Sequence, residues 1–160
     1  MQTLGELYLE TVTRNFRGLR SYADKAIEQL DDEQLFASVD PRSNTVATLM
    51  RHLAGNMRSR WTDFLTTDGE KPDRRRELEF EKRLESRDEV LAAWNGGWEA
   101  LLAEIAALSE EDLQKEVTIK GERLPAMLAI NRAVQHYAYH VGQICYLAKH
   151  LAGERWNAMS

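Results

Sequence analysis

The chain has 160 residues, 43% of them hydrophobic and 29% charged, which is enough apolar material for a core without a disulfide or a structural metal. A net charge of −5 argues against a phosphate-binding groove, which needs clustered Lys and Arg, and no apolar run approaches the roughly 20 residues of a membrane span. The single cysteine, Cys145, rules out an internal disulfide, and MQTLGELYLETVTRNF lacks a basic segment leading into an apolar one, so the expected location is cytoplasmic.

Apolar residues recurring every three or four positions, with only three prolines, predict helices almost throughout. The first opens at Thr3, where Thr3 and Glu6 suit a capping box, and runs through Phe16, Leu19, Ala23, Ile27 and Leu30. A short acidic turn, DDEQLF, leads to Pro41. The second helix is expected to start at Asn44 as cap and to carry Val46, Leu49, Met50, Leu53, Met57, Trp61 and Phe64 on one stripe.

Residues 67 to 85 are mostly charged, contain Pro72 and show no apolar period, which predicts a long crossing connection with room for a turn of helix. Its basic cluster, Arg74-Arg75-Arg76, is flanked by Asp73, Glu77, Glu79 and Glu81 and reads as a solvated segment. Ser86 and Glu89 suit a second capping box, opening a third helix with Leu91, Trp94, Trp98, Leu101, Ile105 and Leu108 that Gly96-Gly97 weakens locally. EVTIKGERLP, with alternating Val117 and Ile119 before a glycine turn, predicts a short two-stranded excursion. The last helix is expected from Leu124 to Ala152, ended by Gly153. With no internal repeat, the expectation is an all-α fold: a single domain over 1–160, an antiparallel four-helix bundle with a long crossover between helices 2 and 3.

The last helix carries HYAYH, which sets His136 and His140 one turn apart. Its apolar stripe is Met127, Ile130, Val134, Tyr137, Val141, Cys145 and Ala148, and the histidines point away from it, so periodicity alone allows a solvent-facing pair. Between Leu124 and Ala148, however, the only charged side chain is Arg132, and a helix so poor in charge is enclosed on most sides. Arg132, His136, His140 and Gln143 then form a line on an interior face and need partners, because an unpaired buried polar group costs about 1 to 3 kcal/mol. On the second helix His52 lies beside the core stripe, followed by Asn56 and Arg60 at successive turns. A histidine from one helix joined to an i, i+4 pair on another is the donor set of a divalent metal with open positions; a satisfied histidine network is the alternative. Tyr137 stands where a zincin signature has its catalytic Glu, which argues against peptidase chemistry.

HLAGN at 52 to 56, RW at 60 and 61, GEKPDRR from 69 with EFE at 79 to 81, and NRAVQHYAYHVGQI at 131 to 144 resemble the DinB/YfiT-like superfamily, nearest to an uncharacterised bacterial branch. The resemblance covers nearly the whole chain. It implies a four-helix bundle holding one metal ion on three histidines, which by position match His52, His136 and His140. It also implies a homodimer and, from characterised relatives, metal-dependent transfer reactions that use low-molecular-weight thiols, with hydrolysis next. Zn or Ni is the expected ion, a small molecule the expected substrate, and neither nucleic acid nor membrane an expected partner. Asn56, Arg60, Arg132, Tyr139 and Gln143 are candidates for contacts to substrate or to the ligand histidines, no general base stands out, and a non-catalytic, stress-associated metal-binding homodimer is the rival reading.

Arg60 and Arg132 suit a bidentate grip on a carboxylate or, equally, ion pairs with Asp63, Glu70 or Glu79. Trp94 and Trp98 read as core, Trp61 as core or pocket wall, and Cys145 as a small core residue. His150, ten residues beyond His140, is too far along the helix to share its ion and suits the helix C-terminus.

Overall fold

The computed structural model describes residues 1–81 and 83–159. Over these the chain is mostly helical: α1 (Leu4–Ile27), α2 (Asp32–Phe36), α3 (Val46–Trp61), α4 (Arg87–Ala107) and α5 (Ala126–Ala152), with one antiparallel hairpin of β1 (Glu116–Ile119) and β2 (Glu122–Pro125). None of these helices is long and apolar enough to cross a membrane.

The ends of the helices follow their capping chemistry. Thr3 accepts from the Glu6 amide while the Glu6 carboxylate accepts from the Thr3 amide, and Ser86 and Glu89 repeat that exchange at α4. DDEQLF is a helical turn rather than a loop, because Asp31 and Gln34 complete a third box. The α3 cap is Thr45, not Asn44, its hydroxyl accepting from the Thr48 amide. α5 begins two residues later than expected, since Leu124 and Pro125 belong to β2 and the predicted excursion is a true hairpin.

α3 packs chiefly along α4 and α1 chiefly along α5, around one contiguous apolar core. Gly96-Gly97 does not interrupt α4, and Trp94 and Trp98 sit inside that core. On α5 the buried face is Ala126, Ala129, Ile130, Ala133, Tyr137, Val141, Ile144 and Ala148, rotated from the expected stripe so that Met127 is 40% exposed and Cys145 only half-buried. Alanines admit a neighbouring helix closely, so the line of contact follows small residues that a search for large apolar ones passes over.

The crossover is held against the helices by polar contacts, not by apolar burial. Arg51 of α3 donates to the Glu79 and Glu81 carbonyls and pairs with Glu85. Near its start, the Asp68 carboxylate accepts from the amides of Glu70, Lys120 and Gly121, which pins the crossover to the hairpin turn. Burial would raise the Asp68 pKa, but those three amides outweigh it and hold it low. Between the pins, Arg76–Glu79 forms one 3-10 turn, which aims Glu79 back at α3.

Candidate metal centre

α3 and α5 bring His52, His136 and His140 together, each offering a ring nitrogen within 4.8 Å of the other two. His52 is 2% exposed; His136 and His140 are half-buried. The expectation that the histidine face of α5 is interior therefore holds only in part: the rings are screened on one side by α3, while Arg132 beyond them is exposed.

Two of the rings are oriented by hydrogen bonds on their outer nitrogens. His52 Nδ1 lies 2.9 Å from Glu79 Oε2. Burial pushes the Glu79 carboxyl up, but bonds from His52 and Arg74 overcome it and keep the group ionised, so it can only accept. Nδ1–H therefore donates, and Nε2 is the His52 nitrogen turned to the cluster. His140 Nδ1 donates in the same way to Gln143 Oε1 at 2.7 Å, leaving its Nε2 for the cluster. Burial pulls the His136 pKa down to about 4, with the neighbouring His140 and His52 adding to the effect. Burial also lowers His140, against the raising effect of its bond to Gln143. At neutral pH both rings keep the lone pair that a metal requires.

The spacing of one pair of rings fits an ion. Two nitrogens each 2.0 to 2.1 Å from a tetrahedral centre lie roughly 3.3 Å apart, and His52 Nε2 and His136 Nε2 are 3.4 Å apart. That separation is long for a hydrogen bond between nitrogens. Three imidazoles suit Zn, Ni, Cu or Fe alike.

Glu79 and Arg74 were not singled out as site residues from the sequence. Arg74 donates to both Glu79 oxygens at 2.8 Å and pairs with Glu70 at 3.0 Å, so the buried carboxylate that aligns His52 is itself neutralised. Pairing of Arg60 or Arg132 with Asp63, Glu70 or Glu79, one of the two equal readings, is not found among the described residues; Arg74 occupies two of those acids. Arg132 instead grips Glu122 of β2 through two bonds of 3.0 Å. A reading of Arg74-Arg75-Arg76 as uniformly solvated is corrected by the same pairs. Arg76 lies over the face of Phe80, 5.3 Å from the ring centre, and Phe80 in turn packs on His52 at 4.7 Å.

In front of the rings is a cavity of about 420 Å³ whose walls include His52, His136, Asn56 and Arg60. Tyr139 is 64% exposed and edges His140 from outside. Trp61 is core, 1% exposed, with its Nε1 donating to the Tyr137 hydroxyl at 3.0 Å. His150 is exposed in the last turn of α5.

Fold and site together define a mostly helical protein with a three-histidine group able to hold a metal ion. The chain belongs to the family described as "Protein of unknown function (DUF1572)", whose family model matches residues 3–160. No curated protein matches it.

Proposed function

We propose that the protein is a metal-dependent enzyme of the DinB-like kind, a single four-helix bundle whose long crossover seals one side of the site. His52, His136 and His140 hold Zn or Ni, and the reaction is thiol-dependent transfer to a small-molecule acceptor, with hydrolysis as the neighbouring chemistry. The observation that carries this reading is the convergence of the three ring nitrogens, two of them turned inward by Glu79 and Gln143. An ion held there supplies Lewis acidity, which favours the ionised form of a thiol at neutral pH. The chain's own part is to orient two rings, keep a third neutral by burial, and enclose the substrate between α3, α5 and the crossover.

Elemental analysis of the purified protein tests the centre. Close to one equivalent of a divalent transition metal is expected in the parent, with loss of most of it in His136→Ala and His140→Ala; equal metal content in parent and variants would falsify the assignment.

A second reading, a non-catalytic metal-binding homodimer, is favoured by one observation. Glu70, the one carboxylate lining the cavity among the described residues, is paired with Arg74, so no free general base faces the histidines. Screening the metal-loaded protein with low-molecular-weight thiols against electrophilic acceptors separates the two: turnover supports the enzyme, and tight metal binding without turnover supports the rival.

A further inference from the structure

We propose that the cavity beside the histidines is the seat of an anionic oxygen group, a carboxylate or a phosphate, gripped by the Arg60 guanidinium and the Asn56 amide. The proposal deepens the metal-centre reading and rests on it only for what the anion is delivered to, since the grip itself uses different side chains.

Of the cavity's arginines, Arg74 is committed to Glu70 and Glu79, Arg132 to Glu122, and Arg76 lies over the Phe80 ring. Arg60 is in no direct ion pair among the described residues. Its Nε reaches the Gly69 carbonyl at 3.4 Å; Glu70 and Asp68 act on it only at a distance, since among the described residues no carboxylate comes within ion-pair reach of it and no acceptor meets its Nη groups. Burial lowers its pKa, so water has been withdrawn from a cation that stays charged at any physiological pH. A desolvated guanidinium with free donors on a cavity wall is a site for a planar or tetrahedral oxyanion.

Asn56 adds a second donor whose direction is set by a chain of hydrogen bonds. Trp61 Nε1–H can only donate, and the Tyr137 hydroxyl accepts it at 3.0 Å. The hydroxyl's own proton then goes to Asn56 Oδ1 at 2.9 Å. With Oδ1 used, the Asn56 amide presents Nδ2–H to the cavity it lines, where among the described residues no protein acceptor meets it.

His52, Asn56 and Arg60 follow one another at i, i+4 and i+8 on one face of α3, so imidazole, amide and guanidinium form a ladder. The ends of that ladder are about 12 Å apart along the helix. The ligand is therefore a small, extended molecule that carries its negative group at one end and meets the histidines with the other. A cavity of about 420 Å³ suits it. Lys120, carried on the hairpin turn that Asp68 pins, adds a cation at the rim.

The test uses the full chain, zinc-loaded and metal-stripped, titrated calorimetrically with succinate, inorganic phosphate and uncharged succinamide. The parent should bind at least one anion in both metal states and prefer it to succinamide. Preference between succinate and phosphate identifies the group. Arg60→Gln should weaken anion binding by about tenfold or more, and Arg60→Lys should keep part of it. Both variants should retain the parent's metal content and circular dichroism, which separates loss of the anion seat from loss of the metal centre or the fold. Anion binding of parent strength in Arg60→Gln, or no preference for either anion over succinamide in the parent, would overturn the proposal and leave the metal centre standing. Anion binding that survives in His136→Ala supports the seat even where the metal assignment fails.

Discussion

His52 makes contacts on three sides: Nδ1–H bonds to Glu79, Nε2 faces His136, and Phe80 lies 4.7 Å from the ring centre. The carboxylate reaches the ring across Gly55, where a Cβ would collide with Glu79 Oε1, so any larger residue there displaces the group that aligns the His52 ring. A partner on a metal-binding imidazole raises its basicity and holds its tautomer, and losing one typically costs ten- to a hundredfold in metal affinity. Glu79→Gln keeps the shape and one acceptor but removes the charge that fixes the proton on Nδ1. Competition against a chelator should therefore show metal affinity lower by about 10- to 100-fold, with the helical signal unchanged. Parent affinity in this variant would mean that packing against Phe80 alone orients the ring.

At the scale of elements, α3 and α4 owe their close approach to one residue. A Cβ at Gly97 would lie 2.9 Å from the Cα of Ala54, a backbone atom that cannot swing aside, whereas at Gly96 it would meet nothing within 4 Å. The adjacent glycines should thus respond oppositely to alanine. Gly96→Ala gains helix propensity and should stabilise by about 0.5 to 1 kcal/mol. Gly97→Ala makes the same gain but forces the helices apart at a typical cost of about 1 to 3 kcal/mol, for a net loss near 1 kcal/mol in denaturant unfolding. What was legible in the sequence at this scale was local. The Thr3–Glu6 and Ser86–Glu89 boxes and the hairpin all depend on residues within a few positions of one another, so their spacing announces them. The buried face of α5 was read imperfectly, because its contact line is set by alanines whose role depends on what packs there. Glu79 and Arg74 were missed because they act from a stretch without periodicity, through contacts 27 residues away in the case of Glu79 and His52. The three histidines could be grouped because a ligand set restricts residue type as well as spacing, and the sequence holds only four histidines.

For the molecule as a whole, the arrangement of helix pairs matters more than any single contact. α3 lies chiefly against α4, and α5 chiefly against α1, yet the histidine group draws one ring from α3 and two from α5. A ligand that binds only the folded chain stabilises it by RT ln(1 + [L]/Kd), about 2.7 kcal/mol at a hundredfold excess over Kd. On the proposed reading, the melting temperature should climb steadily with free zinc or nickel and fall on chelation, while His140→Ala should melt at one temperature whatever the metal concentration. Differential scanning calorimetry across a series of buffered metal concentrations checks this. The straddling position of the rings carries a further consequence. An ion held there would act as a rivet between those helix pairs, so starvation for the metal would loosen the seam between them, and the protein's lifetime against proteases would track the supply of that metal.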